Sequence, residues 1–324
     1  MIHKLGFGPM SPEIIDTLVS YSNQGHPLML IASRNQIDAN SGYVMTTEDL
    51  YERVHGTMSN YLWLCRDHCG PYFLDTEKSL DIGPAIEATK KTIAKDIEMG
   101  FNLIHIDTSR CNDVYGVAEQ LIEFCLKLNP KIHFEFGTEE NVGVAAGVKK
   151  YQEDVKFASQ FPNMEFVVAQ TGSLVMEDRQ VGDFDIAIAT ELANFAHSMN
   201  VKLKEHNADY LTAEQIQMRK QAGVDACNIA PQLGVIQTKT ILSLAQQFNV
   251  DSSEFTNTVL ESKRWKKWML NGGDTVKINS AGHYCFTSTP YKQLVEKLNV
   301  HCDTNKEIET AIVQCLDLYY NNLY

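Results

Sequence analysis

The chain has 324 residues, 44% hydrophobic and 21% charged, which is the balance of a soluble globular protein with enough length for a sizeable core. Its 28 basic and 41 acidic residues leave a net charge of −13. That excess of acid argues against nucleic acid or an anionic membrane surface as the main partner, and no apolar run reaches the ~18 residues of a membrane span.

From the N-terminus, residues 4–7 read as a short strand. Ser11 caps a helix whose first position is Pro12 and whose apolar face is Ile14, Ile15, Leu18 and Val19. Residues 27–32 form a second strand, followed by a polar loop with Asn35, Gln36 and Asp38. Residues 46–58 are helical, with Thr47 as cap. The third strand, 61–65, runs directly into Asp67-His68 and a Gly70-Pro71 turn. A long helix, 81–99, is closed by Gly100. Strand 101–106 ends in Asp107 and leads to helix 114–128. Strand 132–136 ends in Gly137-Thr138-Glu139-Glu140 and leads to helix 148–161. Strand 165–169 ends in Gln170-Thr171-Gly172 and leads to helix 185–199. Strand 201–204 ends in Glu205-His206-Asn207 and leads to helix 212–221. A weak eighth strand, 226–229, precedes helix 232–248.

Eight strands, each followed by a helix, predict an α/β fold of the (β/α)8 TIM-barrel type over residues 1–249. A doubly wound sheet would want a Gly-rich turn after an early strand, and Gly6-Phe7-Gly8-Pro9 does not keep that spacing. Residues 250–324 read as a C-terminal helical extension packed on the barrel, with helices at 289–298 and 305–318. The cluster Lys263-Arg264-Trp265-Lys266-Lys267-Trp268 within it reads as a solvated helix face, with phosphate binding or a subunit contact as the sharper alternatives.

The start of the sequence, Met1-Ile2-His3-Lys4-Leu5-Gly6, has no cationic region followed by a long apolar one, so no signal peptide is expected. Eight scattered cysteines without a C-x-x-C pair read as reduced thiols of a cytoplasmic protein. Cys65 and Cys69 flank His68, but no second Cys/His pair stands at zinc-finger spacing.

In such a barrel the active site lies at the C-terminal ends of the strands. The polar residues there are Asp67, His68, Asp107, Glu139, Gln170, His206 and Asn228. Two imidazoles and a carboxylate at one mouth suit zinc or another divalent cation with an open position for substrate. Asp67, next to His68, is placed for proton transfer; its duller reading is a partner that orients an imidazole. Asp107 and Ser109 read as substrate contacts or supporting groups. His105, one residue inside its strand, divides between core and site, and His283 reads as structural.

The residues then show a resemblance. The chain resembles the GatZ/KbaZ-type (Z-type) subunits of tagatose-bisphosphate aldolase, within the class II aldolase-like barrels. The resemblance runs from about residue 4 to 298. It is carried by Ser33-Arg34-Asn35-Gln36-Ile37-Asp38, Asp67-His68-Cys69-Gly70-Pro71, His105-Ile106-Asp107-Thr108-Ser109, Gly137-Thr138-Glu139, Gln170-Thr171-Gly172 and Glu205-His206-Asn207-Ala208-Asp209-Tyr210. It implies Asp67 as the proton-transfer acid, beside which Asp107 is the second catalytic candidate, and His68, Glu139 and His206 as ligands of a divalent metal, with zinc expected. The expected substrate contacts are Asn35, Gln36, Ser109, Gln170, Asn207, Asp209, Asn228, Ser288 and Lys292. Two positions depart from the pattern. Gln170, as in the Z-type subunits, stands where the catalytic aldolases carry a histidine, and residues 285–292 lack the arginines of the Z-type subunits, leaving hydroxyls and Lys292.

The implied function is a metal-dependent class II aldolase acting on ketose phosphates or bisphosphates, through an enediolate such as that of dihydroxyacetone phosphate. An epimerase of ketose phosphates or ketohexuronates, and a non-catalytic stabilising subunit, are the alternatives. Expected partners are a small sugar phosphate and either further copies of the chain or an aldolase subunit, with no nucleic acid and no membrane.

Overall fold

The computed structural model describes residues 3–138, 143–145 and 147–324. The eight barrel strands are β1 (Leu5–Phe7), β2 (Leu28–Ser33), β3 (Leu62–Cys69), β4 (Leu103–Asp107), β5 (His133–Gly137), β6 (Met164–Ala169), β7 (Lys202–Glu205) and β8 (Ala226–Ile229). They pair in parallel and in chain order, and β8 returns to β1 with Cys227 opposite Leu5, so the sheet closes into a (β/α)8 barrel. All eight strands stand where the alternation of apolar runs and helical periods predicts them. The third extends past the expected Cys65, to Cys69.

Strand side chains alternate between the two faces of the sheet. Leu64, Ile104, Ile106, Phe134, Phe136, Val167, Leu203, Cys227 and Ile229 belong to the large apolar core shared with the helices. Met29, Ile31, Cys65, Leu103, Phe166 and Ala226 form a second cluster, the plug inside the barrel. This parity fixes what can reach the mouth. Cys65 and Asp67 share the inward face, as do Leu103 and His105, or Phe166, Val168 and Gln170. Outward charges find partners between sheet and helices: Arg66 Nη2 lies 2.6 Å from Asp96 Oδ1, both fully buried, and Arg219 Nε lies 2.9 Å from Glu205 Oε2.

Local signals set the helix starts. Ser11 Oγ accepts the N–H of Ile14 at 3.1 Å at the head of α1 (Pro12–Asn23). In α2 (Thr47–Val54) the cap is Thr46 rather than Thr47, in a capping box with Asp49. The helices α3 (Ile82–Glu98), α4 (Val114–Leu128), α5 (Val148–Ala158), α6 (Ile186–Ser198), α7 (Ala213–Ala222) and α8 (Pro231–Gln247) follow their strands. Gly100 follows α3 in the left-handed region, φ 79°.

Beyond α8 come α9 (Ser253–Ser262), α10 (Asp274–Ala281), α11 (Thr289–Leu298) and α12 (Thr304–Leu323). The first two are not apparent from the pattern of apolar residues. Helix α12 packs against α7, α8 and α1. Its Tyr319 sets an edge against Phe7 of β1 and donates its hydroxyl to the carbonyl of Ala208 at 2.7 Å. Among the described residues no helix is long and apolar enough to cross a membrane.

Candidate active site

The C-terminal mouth of the barrel opens into a cavity of about 960 Å³, at the upper end of the range for small-molecule sites. At its floor Asp67, His68, His105 and His206 each offer a ligand atom, and these atoms all lie within 4.8 Å of one another. Strand parity brings three of them there, and a bulge brings His68.

Asp67 points inward by strand parity, whereas His68 alone would point outward. The pairing of β3 with β4 shifts register between Arg66 and Cys69, and His68 adopts φ 47°. This bulge lets two consecutive residues serve one site. His68 is then fixed twice. Its Nδ1 lies 2.6 Å from Asp107 Oδ2, and its ring stacks on Phe73 with centroids 5.4 Å apart. The other Asp107 oxygen accepts the N–H of Ser109 at 3.0 Å. With Nδ1 held by Asp107, Nε2 is left facing the cavity, 3.7 Å from Asp67 Oδ2.

His105 points inward from β4. Its Nδ1 lies 3.3 Å from Asp67 Oδ1, and its Nε2 is buried without a hydrogen-bond partner. His206 follows β7 and keeps the inward face of Lys204. Its Nε2 lies 2.6 Å from Glu135 Oε1 and 3.0 Å from Asn228 Nδ2. Beneath it, Glu135 Oε2 meets Lys204 Nζ at 2.5 Å, with the two side chains 1% and 0% exposed. Glu135 and Lys204 form the layer on which the cluster rests.

The electrostatics follow from this crowding. Burial would raise the Asp67 carboxyl, but His68, His105 and His206 around it hold it well below the usual carboxylate range. Burial likewise opposes ionisation of Glu135, and Lys204 and the imidazoles outweigh it. For His68 burial acts downward, yet Asp67 and Asp107 lift it to about 9. His206 is lowered, with burial the main cause. Asp209 behaves differently. Burial pushes it up to about 7, against two backbone N–H groups, of Gln232 and Ala230, that each donate to Oδ1 at 2.9 Å. Its Oδ2 is buried without a hydrogen-bond partner.

Of the residues expected at the site, Asp67, His68, Asp107, His206, Asn35, Gln36, Ser109, Gln170, Asn207, Asp209 and Asn228 all line the cavity. Glu139 and its neighbour Glu140 lie outside the described residues. Ser288 and Lys292 do not line the cavity. Ser288 Oγ instead caps α11 by accepting the N–H of Tyr291, and Lys292 is exposed one turn along that helix. His283 is buried on the cavity wall beside Tyr43 and Tyr284, its pKa pushed down to about 3 by burial. His105, though buried, lines the cavity and stands in the donor cluster. Glu135 and Lys204 are further members that the strand-end reading passed over. The readable signal was parity: each sits two residues from an inward-facing strand end. Finally, the basic cluster is a short 3-10 helix, Arg264–Trp268, and it lies on the cavity rim.

The donor set suits a divalent cation of the zinc type: three imidazoles would hold it with the fourth tetrahedral position open, and the Asp67 carboxylate stands beside them. Donors of a tetrahedral zinc site stand about 3.3 Å apart, so modest side-chain rotation closes the cluster. The orphaned Nε2 of His105 is a buried polar atom that lacks a partner in the protein.

Comparison with known proteins gives a family match over part of the chain, and a fold. Residues 10–122 match the family model described as D-tagatose-1,6-bisphosphate aldolase subunit GatZ/KbaZ-like. That stretch contains Asp67, His68, His105 and Asp107. No curated protein matches the sequence. A crystal structure of a probable tagatose 6 phosphate kinase from Sinorhizobium meliloti 1021 superposes with TM-score 0.84 at 17% identity, over 99% of this chain and 100% of that one. Fructose-bisphosphate aldolase from Campylobacter jejuni gives 0.63 at 12%, over 99% and 90%. A putative fructose-1,6-biphosphate aldolase from Coccidioides immitis gives 0.55 at 14%, over 99% and 90%. At these identities the three structures show the shared fold alone. Over residues 10–122 the chain therefore carries the GatZ/KbaZ-like family pattern, set on the closed (β/α)8 barrel common to these structures.

Proposed function

We propose that the protein is a metal-dependent lyase of the class II aldolase type, acting on a ketose phosphate. The observation that carries this reading is the convergence of Asp67, His68, His105 and His206 at the floor of an open cavity. His68, His105 and His206 would hold a divalent cation, zinc being the best match to the donors, with Glu139 a further candidate from the sequence. Bound there, such a cation supplies Lewis acidity to a substrate carbonyl.

The chain's own groups do the rest. Asp67, ionised and next to the imidazoles, accepts the proton of the substrate hydroxyl on the carbon that leaves as aldehyde. The C–C bond breaks, its electron pair passes into the adjoining ketone carbon as an enediolate, and a proton returns to carbon to give the ketone product. Asp107 keeps Nδ1 of His68 occupied so that Nε2 stays turned to the site. Asn228 and Gln170 supply amide groups for substrate oxygens.

A Schiff-base aldolase has little support. It needs a lysine that is desolvated and reachable. The lysines lining the cavity, Lys78, Lys263, Lys266 and Lys267, are at its exposed rim. Lys204, the inward lysine of the barrel, is sealed beneath the floor by Glu135.

Asp209 keeps epimerisation in view as the second reading. It is a second carboxyl in the same cavity, poised near neutrality, and could serve a fragment that turns over in place. The deciding experiment incubates the purified protein with zinc and a panel of ketose phosphates and bisphosphates, followed by NMR. Two fragments are the expected result. A new ketose would replace the aldolase reading by the epimerase. No change with any substrate, in protein shown to hold one metal per chain, would overturn catalysis in favour of a supporting subunit.

A further inference from the structure

The rim of the cavity carries a feature that the floor chemistry does not use. Lys263, Arg264, Lys266 and Lys267 line the same cavity as the His/Asp cluster, in a chain whose net charge is −13. Among the described residues none of the four makes an ion pair. Cations of neighbouring helices do so: Lys239 of α8 with Asp178 and Lys277 of α10 with Asp274. The acid nearest on the rim, Asp75, is occupied by Lys78 at 2.6 Å.

The segment is also built to stay in place. Lys263 turns the chain with φ 56° into the 3-10 helix Arg264–Trp268. Glu177, at the bend of a two-stranded ribbon (Val175–Met176 and Arg179–Gln180), grips the end of that helix and the turn after it. Its Oε1 accepts the N–H groups of Leu270, Asn271 and Gly272 at 3.2, 2.9 and 2.6 Å, and its own N–H donates to the carbonyl of Trp268 at 2.6 Å. Aromatic faces carry the charges. Arg264 Cζ stands 5.0 Å from the Tyr284 ring and 6.0 Å from that of Tyr43. Lys267 Nζ stands 4.6 Å from Trp268 and 5.4 Å from Tyr284. Trp268 Nε1 donates to the Tyr284 hydroxyl at 3.3 Å. A merely solvated basic face needs none of this anchoring.

We propose that segment 263–268 is the subsite for the terminal oxyanion of the substrate, with Arg264 and Lys267 as its main contacts. The inference rests on the metal-dependent reading above, which puts the keto end of the substrate at the floor. The shared chemistry is a terminal anion on a polyhydroxylated ketose. Four unpaired cations favour a phosphate dianion, and a terminal carboxylate is the other source. Arg264 can offer two parallel N–H donors to either group, and the lysines supply point charges. Because these groups are exposed, the attraction is screened by salt and weakens as ionic strength rises.

The test uses the full chain in two states. Metal-free protein is titrated with inorganic phosphate by calorimetry, for wild type, R264A/K267A and, as a charge reversal at exposed positions, K266E/K267E. Thermal melts and metal content are recorded for each. The expected result is phosphate binding that falls by about tenfold or more in both variants, with metal content unchanged. Unchanged phosphate binding in both folded variants overturns the subsite. Holoprotein is then assayed for turnover of a ketose bisphosphate and of a ketohexuronate. A rise in KM of about tenfold for the phosphorylated substrate, with kcat kept, supports phosphate at the rim. The same rise confined to the uronate assigns the rim to a carboxylate, the other source of the same oxyanion chemistry. Turnover with KM unmoved for both removes the subsite and leaves the metal reading standing. Lost phosphate binding without turnover of any ketose keeps the subsite and removes that reading.

Discussion

Lys204 and Glu135 pair at 2.5 Å inside the barrel, and the second Glu135 oxygen reaches His206 at 2.6 Å. A lysine that touches no substrate thus sets the charge of the carboxylate under a candidate ligand. Removing one partner of so buried a pair strands the other charge, at about 3–5 kcal/mol. Lys204→Met is expected to lose stability of that order in metal-free protein, read from denaturant midpoints. Glu135→Leu added to it should recover most of the loss. If Lys204→Met is as stable as wild type, the pair does not hold the floor.

Asp67 is assigned the proton. Asp67→Asn keeps the shape of the side chain and leaves three imidazoles, so the protein should retain one metal per chain while kcat falls by about 10²–10⁴-fold. Elemental analysis beside steady-state kinetics separates the two effects. Loss of metal together with activity would make Asp67 a ligand first.

His68 sits at about 9 in the metal-free protein, so at pH 7 its imidazole is charged. A cation needs the lone pair of Nε2, and binding at neutral pH must expel that proton. Affinity should therefore rise with pH, by about tenfold per unit between pH 7 and 9, and level off above. Calorimetry in buffers of different ionisation enthalpy measures the released proton. A flat affinity from pH 7 to 9 would contradict the role of Asp67 and Asp107 in holding His68 charged.

Asp209 gives a stability prediction of definite sign. Its pKa is 3.8 when unperturbed and about 7 in the fold. A raised folded value means that the native state keeps the proton longer. Its contribution is then fully present below about pH 4 and is lost as pH rises through 7. Asp209→Asn cannot ionise, and its Oδ1 can still accept from Ala230 and Gln232. The variant should match wild type near pH 4 and exceed it in stability at pH 8, by thermal melts at both values. Equal melting temperatures at pH 8 would argue that Asp209 is solvated and ionised.

The barrel was legible because its strands are short apolar runs separated by helical periods, several of them opened by a capping side chain, a pattern written locally. Ser11-Pro12 and Thr212 are examples of caps that say where a helix begins. The mouth residues were legible for the same reason, since a strand end can be read without knowing its neighbours. Glu135, Lys204 and His105 were harder, because their importance depends on inward parity on three strands at once. His68 was visible only as a neighbour of Asp67. The bulge that turns both toward one point depends on pairing between β3 and β4. The rim segment 263–268 was hardest. Its place is set by Glu177, which stands 93 residues before Leu270 in the chain. Ser288 and Lys292 show the converse: a sequence position that resembles a phosphate contact became a helix cap and its exposed neighbour.

The seat of α12 between α7 and α1 has a consequence for biosynthesis. The strands β1 and β8 can pair once residue 229 is made, yet the outer wall over β1 stays open until residues 304–323 arrive to cover Phe7 and donate the Tyr319 hydroxyl to the Ala208 carbonyl. Contacts so distant along the chain form slowly. A nascent chain carrying everything through α8 would wait with an uncovered apolar seam, and that interval is where a chaperone would find its grip.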